Sequence, residues 1–494
     1  MEVDKPLSSD KAKQTDEDCA IVLELSENDP HFDKKKKLLQ NKGFNPKEQV
    51  FLKSSSSPDW ISTTLKVMLQ IARIIQLNEV ELYFGEGDTC SPVKFYSPRN
   101  ELEALNSILS LLDIPLSSDK CMQMKVLQEL REAIIGMIHD FGDKNSVKTI
   151  VEIQSCEKEE CLSRWGESKG MRTRLQIAYV EGAGRGAIAR EDLNVGDIAL
   201  EIPVSIVISE ELVRISDMFH ILETIDGISS ETMLLLWSMK ERHNCNSKFK
   251  IYFNTLPEKF NTGLSFGVDA IVALDGTLLF EEIMQAKELY PHILHFGKID
   301  AATNSLKFCL SRPCSAGEQC FLSYGNFSSS HLITFYGFLP QGNNPYDIIP
   351  LDIEAAQDDY AEGRCTSNWS THMVRPTWLS NNHNIFYYGL PSPLLDCLRR
   401  ARSPMLQTKT LLQANLENEM EILQDLHSTF DNMMENLGDA DEDDRENESW
   451  DVRLAVEFKD VHRGIISSIL TSCHTGMKHV ENEWYRCMGE DKRG

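Results

Sequence analysis

The 494-residue chain has no apolar run near the roughly 18 residues a membrane-spanning helix needs, so no span is expected. It is also short of positive charge. Its 50 Lys and Arg stand against 76 Asp and Glu, a formal net charge of −26. A surface of that sign repels phosphate backbones, which argues against direct nucleic-acid binding. It attracts basic segments, or simply keeps the protein soluble. None of the 13 cysteines shows C-x-x-C spacing, and even the close pairs Cys156/Cys161 and Cys309/Cys314 miss it, so no metal site is expected. An odd number of scattered cysteines implies reduced thiols and a cytoplasmic or nuclear setting. The opening Met1-Glu2-Val3-Asp4 has no basic region ahead of an apolar core, so no signal peptide is expected. No fixed-period repeat is visible, which excludes a solenoid.

What is present is enough to fold. Hydrophobic residues make up 41% and charged residues 26%, the balance of a globular chain of two to four domains. Residues 1–57 read as a polar tail and linker. They include Lys34-Lys35-Lys36-Lys37, read as a solvated stretch or helix end, or as a localisation signal. Ser57 stands as a helix cap before Pro58, and residues 58–150 read as helical. Ile61, Leu65, Met68, Ala72 and Ile75 recur at helical spacing. So do Leu102, Leu105, Ile108 and Leu112, and then Val126, Leu130, Ile134 and Met137. From about 160 to 340 short strand-like pieces take over: 177–180, 198–202, 306–310 and 319–323. Turns are expected at Asn194-Val195-Gly196-Asp197 and Ser315-Ala316-Gly317-Glu318. Helical segments such as 231–240 lie between, so the fold class is α+β. Residues 350–490 return to helix, with an acidic loop at 439–448 between two apolar stripes, one from Leu412 to Phe430 and one from Leu454 to Ile469.

Two glycine-marked segments could carry chemistry. Glu181-Gly182-Ala183-Gly184-Arg185-Gly186 lets the backbone approach a ligand closely, or forms a tight turn. It is not a dinucleotide fingerprint, because Ala189 stands where the third glycine would be. The second segment, Gly317 to Asn326, delivers Tyr324 beside Gly325, and Tyr336-Gly337-Phe338 follows. A single tyrosine is more often a half-buried packing residue. Two of them downstream of a separate glycine turn form a more specific pattern.

Together these motifs resemble a SET-domain protein methyltransferase of the Rubisco large-subunit methyltransferase-like group. Gly184-Arg185-Gly186 and Gly196-Asp197-Ile198 resemble its opening hairpins, and Gly317 through Gly325 its closing motif. Trp165 and Gly170, Tyr252 through Leu256-Pro257, Leu274-Asp275-Gly276-Thr277 and Tyr336-Gly337-Phe338 match further signatures over residues 155–490. The resemblance implies small SET-type sheets and hairpins with inserted helices, followed by a helical substrate-binding domain. It implies methyl transfer from S-adenosylmethionine to a protein lysine. Tyr324 and Tyr336 would be catalytic; Gly182, Gly184, Arg185, Gly186 and Tyr324 would hold the cofactor. The implied partner is a non-histone protein with a basic target segment. Histidine methylation, and a catalytically inactive binding form, stay open.

One family feature is missing. No Asn-His pair occurs between residues 270 and 317, and the helix ending near 288 runs straight into Leu289-Tyr290-Pro291-His292. This implies an internally shortened form, with a segment lost near 288–289. Weak or absent cofactor binding is expected, because each lost contact costs about 1–3 kcal/mol. His292, His295 and Asn304 are the polar residues near the gap.

Overall fold

The computed structural model describes residues 20–52, 58–86, 97–117, 124–144, 151–152, 156–180, 184–288, 298–300, 303–352, 369, 371–402, 409–438 and 448–490. The first elements are β1 (Ala20–Glu24), α1 (Phe32–Asn41), β2 (Lys47–Phe51), α2 (Pro58–Ile75), α3 (Glu79–Gly85), α4 (Pro98–Ser117) and α5 (Met124–Lys144). The helical stripes bury as their spacing demands: Leu65, Met68, Ala72, Leu105, Ile108, Leu112, Leu130 and Ile134 share one core.

Residues 20–52 are not a polar tail, and this corrects the reading from composition. β1 pairs antiparallel with β2, and Ile21, Leu23 and Leu25 enter the core of α2, α4 and α5. The lysine run lies within α1 and is only partly solvated. Lys35 is 4% exposed, and its Nζ donates to Asp29 Oδ2 at 2.6 Å and to the Ile75 carbonyl at 2.9 Å. Those acceptors replace water around the ammonium. Lys34 Nζ stands 3.0 Å from the centre of the Trp369 ring. Ser57 lies outside the described residues, as does most of the acidic loop.

The middle region carries two four-stranded antiparallel sheets and short helices. Its elements are β3 (Val151–Glu152), α6 (Glu157–Ser168), β4 (Arg172–Thr173), β5 (Leu175–Val180), β6 (Gly184–Ala189), β7 (Ile198–Pro203), α7 (Glu210–Arg214), α8 (Phe219–Leu222), α9 (Ser230–His243), α10 (Lys250–Thr255), α11 (Val268–Ala273), α12 (Leu278–Glu288), β8 (Lys298–Asp300), β9 (Ser305–Cys309), β10 (Gln319–Cys320) and α13 (Ser329–Tyr336). One sheet runs β10-β6-β5-β3, the other β4-β7-β9-β8. Both expected turns form. Asp197 N bonds the Asn194 carbonyl at 3.1 Å, with Gly196 at φ +84°, and Glu318 N bonds the Ser315 carbonyl at 3.0 Å.

The last third is β11 (Ile349–Leu351), β12 (His372–Val374), α14 (Ser392–Arg402), α15 (Gln413–Asn436) and α16 (Trp450–Glu490). Leu416, Leu423, Leu426 and Phe430 of α15 meet Ile465, Ile466 and Ile469 of α16 in a separate core. The start of α16 joins the middle region, where Ala455 and Phe458 pack with Ala270, Leu279, Ile283 and Ile333. Gly276 lies at φ +77°, and a Cβ there would stand 3.0 Å from the Asn436 carbonyl, so this turn closes on the end of α15. No described helix is long and apolar enough to cross a membrane, and no metal-binding cluster occurs among the described residues.

Candidate functional site

The glycine-rich segment is a β-hairpin. β5 and β6 pair from Leu175↔Ala189 to Val180↔Gly184, and the linking residues, Gly182 among them, lie outside the described ones. Gly184 has φ +74°. Gly186 is sterically required, since a Cβ there would come 2.6 Å from Val180 Cγ2. The other edge of β6 pairs with β10, at Gln319↔Ile188 and Cys320↔Ala187. The two glycine-marked segments are therefore sheet neighbours.

β10 is shorter than the strand expected over 319–323. Pairing stops at Cys320, and Phe321 and Leu322 leave the sheet half exposed, ahead of Gly325 at φ +74°. Ala189 N bonds the Glu318 carbonyl on the β10 side. The two-residue period of the strand turns the Arg185 N–H to that same side, beyond the last β10 pair.

The Arg185 side chain turns elsewhere. Its Nε lies 2.7 Å from Glu159 Oε1 of α6, and Nη1 donates to the Thr255 carbonyl at 3.1 Å, at the end of α10. Glu159 is only 7% exposed, so its charge needs this partner. Beside the pair opens a cleft of about 300 Å³ lined by Ile177, Arg185, Gly186, Tyr252, Leu256 and Pro257, among others. It joins the glycine hairpin to the Tyr252-to-Pro257 motif. Burial raises the Tyr252 hydroxyl pKa, so the phenol stays protonated. Glu159 is the residue sequence reasoning missed. No motif marks it, and only its place in the first turn of α6 hints at a role.

Tyr324 and Tyr336 do meet. Their ring centres are 4.9 Å apart in an edge-to-face arrangement, and Phe338 stands 5.2 Å from Tyr324. Helix α13 sets this geometry. Ser328 caps it by accepting from His331 N at 3.2 Å, and Ser329 N and Oγ bond the buried Asp347 carboxylate at 2.6 and 2.7 Å. Gly337 ends it at φ +75°, where a Cβ would fall 1.7 Å from the Asn261 carbonyl oxygen. The Tyr336 pKa is raised by burial and then by Tyr324. Phe327 stacks on His331 at 4.5 Å, and His331 Nδ1 lies 3.4 Å from Glu282 Oε1. Neither Tyr324 nor Tyr336 lines the cleft beside Arg185.

At the gap, α12 ends at Glu288 and the chain is described again from β8; His292 and His295 lie between and outside the described residues. Asn304 has a structural task. It turns β8 into β9 at φ +48°, and its carbonyl accepts from Val204 N at 3.1 Å.

No family model matches the chain. A chloroplastic [fructose-bisphosphate aldolase]-lysine N-methyltransferase of Arabidopsis thaliana is 24% identical over 127 residues, 25% of this chain and 26% of that protein. The chain thus matches about a quarter of the length of that relative. Among solved structures, Rubisco LSMT bound to sinefungin and monomethyllysine superposes with a TM-score of 0.52 at 16% identity, covering 66% of this chain and 94% of that one. The SET domain of LSMT bound to lysine and AdoHcy gives 0.52 at 17% identity, with 66% and 94% covered. Sheet order, the glycine hairpin and the paired tyrosines, taken with these superpositions, give this chain the SET-domain fold of the Rubisco LSMT structures.

Proposed function

We propose that this chain carries the framework for methyl transfer from S-adenosylmethionine to a protein amine, with lysine as target, and that this form holds the donor weakly or not at all. The observation that carries the first half is the Tyr324–Tyr336 pair, 4.9 Å apart, on the segment that follows the strand beside the glycine hairpin. The similar proteins point the same way: one is a lysine N-methyltransferase, and the others hold lysine, its monomethyl form or AdoHcy.

The residues present fit one end of the donor. The backbone of Gly184, Arg185 and Gly186 offers an open edge for its amino-acid portion, and the Arg185 guanidinium is already engaged by Glu159. Bound there, the donor would supply an electrophilic methyl on a sulfonium. The chain's own residues prepare the amine. A lysine must be neutral to attack, and desolvation against Tyr324, Tyr336 and Phe338 lowers its pKa. The same ring faces favour a methylated ammonium. The Tyr324 hydroxyl orients the amine by accepting one of its hydrogens.

The second half rests on the missing Asn-His pair and on uncovered apolar surface. Val268 and Val272 of α11 are 78% and 66% exposed, and Met284 of α12 is 41% exposed. A binding role without transfer is the alternative this favours, because α14, α15 and α16 keep their own core.

Titration calorimetry with S-adenosylmethionine tests donor binding. Ordinary micromolar affinity would overturn the weakened site. Incubation with labelled donor and a protein extract tests transfer. Faint labelling that vanishes in Tyr324→Phe supports the assigned role, and labelling that the substitution leaves unchanged removes Tyr324 from it.

A further inference from the structure

Cys314 and Cys320 touch through their sulfurs. Their Sγ atoms are 3.2 Å apart, with the Cys320 thiol donating to Cys314, and Cys314 Sγ in turn lies 3.7 Å from the Glu318 carbonyl oxygen. A disulfide needs about 2.05 Å between sulfurs, so closure asks for roughly 1 Å of movement, within reach of small side-chain rotations.

The backbone fixes both cysteines. Cys314 exchanges hydrogen bonds with Leu193 at 2.8 and 2.9 Å, and Cys320 pairs with Ala187 as the last residue of β10. In the turn between them, Ala316 N donates to Asp192 Oδ1 at 2.8 Å and Gly317 N to the Ala189 carbonyl at 2.8 Å. Outside the turn, the Arg312 guanidinium stands 5.0 Å from the centre of the Phe321 ring. Two thiols held this way react as an intramolecular pair, far faster than with a thiol in solution.

Two cysteines in contact can serve as apolar filling, and Ala189, Leu193 and Ala199 do pack with Cys314. Unequal access favours chemistry. Cys314 is 3% exposed, whereas Cys320 is only half-buried, ahead of the exposed Phe321 and Leu322. One sulfur meets solvent and the other stands behind it, the arrangement of an attacking and a resolving thiol. We propose that Cys314 and Cys320 form a redox modification site, a dithiol that a small disulfide of the glutathione type closes to an internal disulfide. The Cys320 thiolate attacks one sulfur of the oxidant, whose S–S bond breaks, and the first glutathione leaves and takes up a proton. Cys314 gives its proton to solvent and attacks the Cys320 sulfur, and the second glutathione leaves and is protonated. The protein loses two electrons and two protons, and the oxidant becomes two thiols. Burial, and then Cys320, hold the Cys314 thiol up at about 12, and the part due to Cys320 disappears once that sulfur is bonded to glutathione. Closure ties the arm before the turn to the end of β10, from which the Tyr324 segment departs, and so steadies residues 321–324. The site does not depend on methyl transfer.

The test is incubation of the folded full chain with oxidised glutathione, blocking of the remaining thiols, and fragmentation of the peptide that carries both cysteines. The expected product holds a Cys314–Cys320 bond, two hydrogens lighter and without glutathione, and its amide exchange at 321–324 is slowed severalfold. Cys314→Ala keeps a glutathione on Cys320. In Cys320→Ser, a change at the more exposed sulfur, Cys314 stays unmodified, so the test survives misfolding of the first variant. No bond in the folded chain, a glutathione retained on Cys320 of the parent, a bond from either sulfur to Cys309, or exchange that closure leaves unchanged overturns the proposal.

Discussion

Arg399 and Glu419 form a bidentate ion pair inside the C-terminal core, at 2.5 Å from Nε to Oε1 and 2.9 Å from Nη2 to Oε2, with side chains only 5% and 3% exposed. Tyr388 OH donates to the same carboxylate at 2.9 Å, and Arg399 Nη2 donates to the Phe386 carbonyl at 2.7 Å. The pair ties α14 to α15 and holds the turn in which Phe386 and Tyr388 take φ of +70° and +56°. Glu419→Leu leaves the buried guanidinium with only Asp396, half exposed and 2.6 Å from Nη1, as counter-charge, and lowers stability by about 3 kcal/mol. The double variant Arg399→Met/Glu419→Leu recovers much of that loss. Urea midpoints of the two single variants and the double check both statements.

Gly337→Ala should disturb the tyrosine pair without touching either ring. The backbone there is left-handed, and the added methyl collides with the Asn261 carbonyl. The left-handed conformation alone costs an alanine about 1 kcal/mol, and the collision adds at least as much. Gly342→Ala is the matched control, at φ +82° with nothing within 4 Å of its Cβ, so it bears only the first cost. Thermal unfolding of both variants separates the terms. Equal midpoints would remove the collision as a constraint on Tyr336 and Phe338.

The sequence showed the helices well because their apolar stripes also pack. Leu65, Met68 and Ala72, or Leu416, Leu423 and Phe430, are buried on the faces their spacing predicts. Residues 20–52 were obscured by charge. Ile21, Leu23 and Leu25 do alternate as a buried strand should, yet β2 opposite them is Lys-Glu-Gln-Val-Phe and α1 holds four consecutive lysines. Composition cannot show that Lys35 finds Asp29 and the Ile75 carbonyl. At the site, the glycine hairpin and the Tyr324–Tyr336 pair were legible because close approach leaves glycine as the residue that fits. Glu159 was not, since a charged side chain reveals its partner only once distant segments meet.

The thiols should sort by burial. None of the nine cysteines among the described residues is in a disulfide. Burial raises Cys314 and Cys473 to about 12, leaving little thiolate at pH 8. Cys156 and Cys245 are exposed. A thiol reagent at pH 8 labels those two quickly and reaches Cys314 and Cys473 only after denaturant is added. Mass mapping of the labelled peptides reads the order, and early labelling of Cys473 would contradict its place in the core.

His462 gives the fold a defined acid response. It is 6% exposed, and burial lowers its pKa from the ordinary 6.5 to about 4. The unfolded chain therefore takes up a proton in a window where the folded chain does not. This contribution is fully present above pH 6.5 and is lost as pH falls from there toward 4. Its full size is about 3 kcal/mol, from the pKa difference. Asp347 lines the same small cavity as His462, and its pKa is raised by burial, so it acts in the opposite sense by favouring the fold as it gains a proton. Comparing urea midpoints of the parent and His462→Gln between pH 7 and 4.5 isolates the histidine. The parent loses stability more steeply than the variant across that range. Parallel slopes would show that His462 binds as many protons folded as unfolded over that range, and would end its role in the acid response.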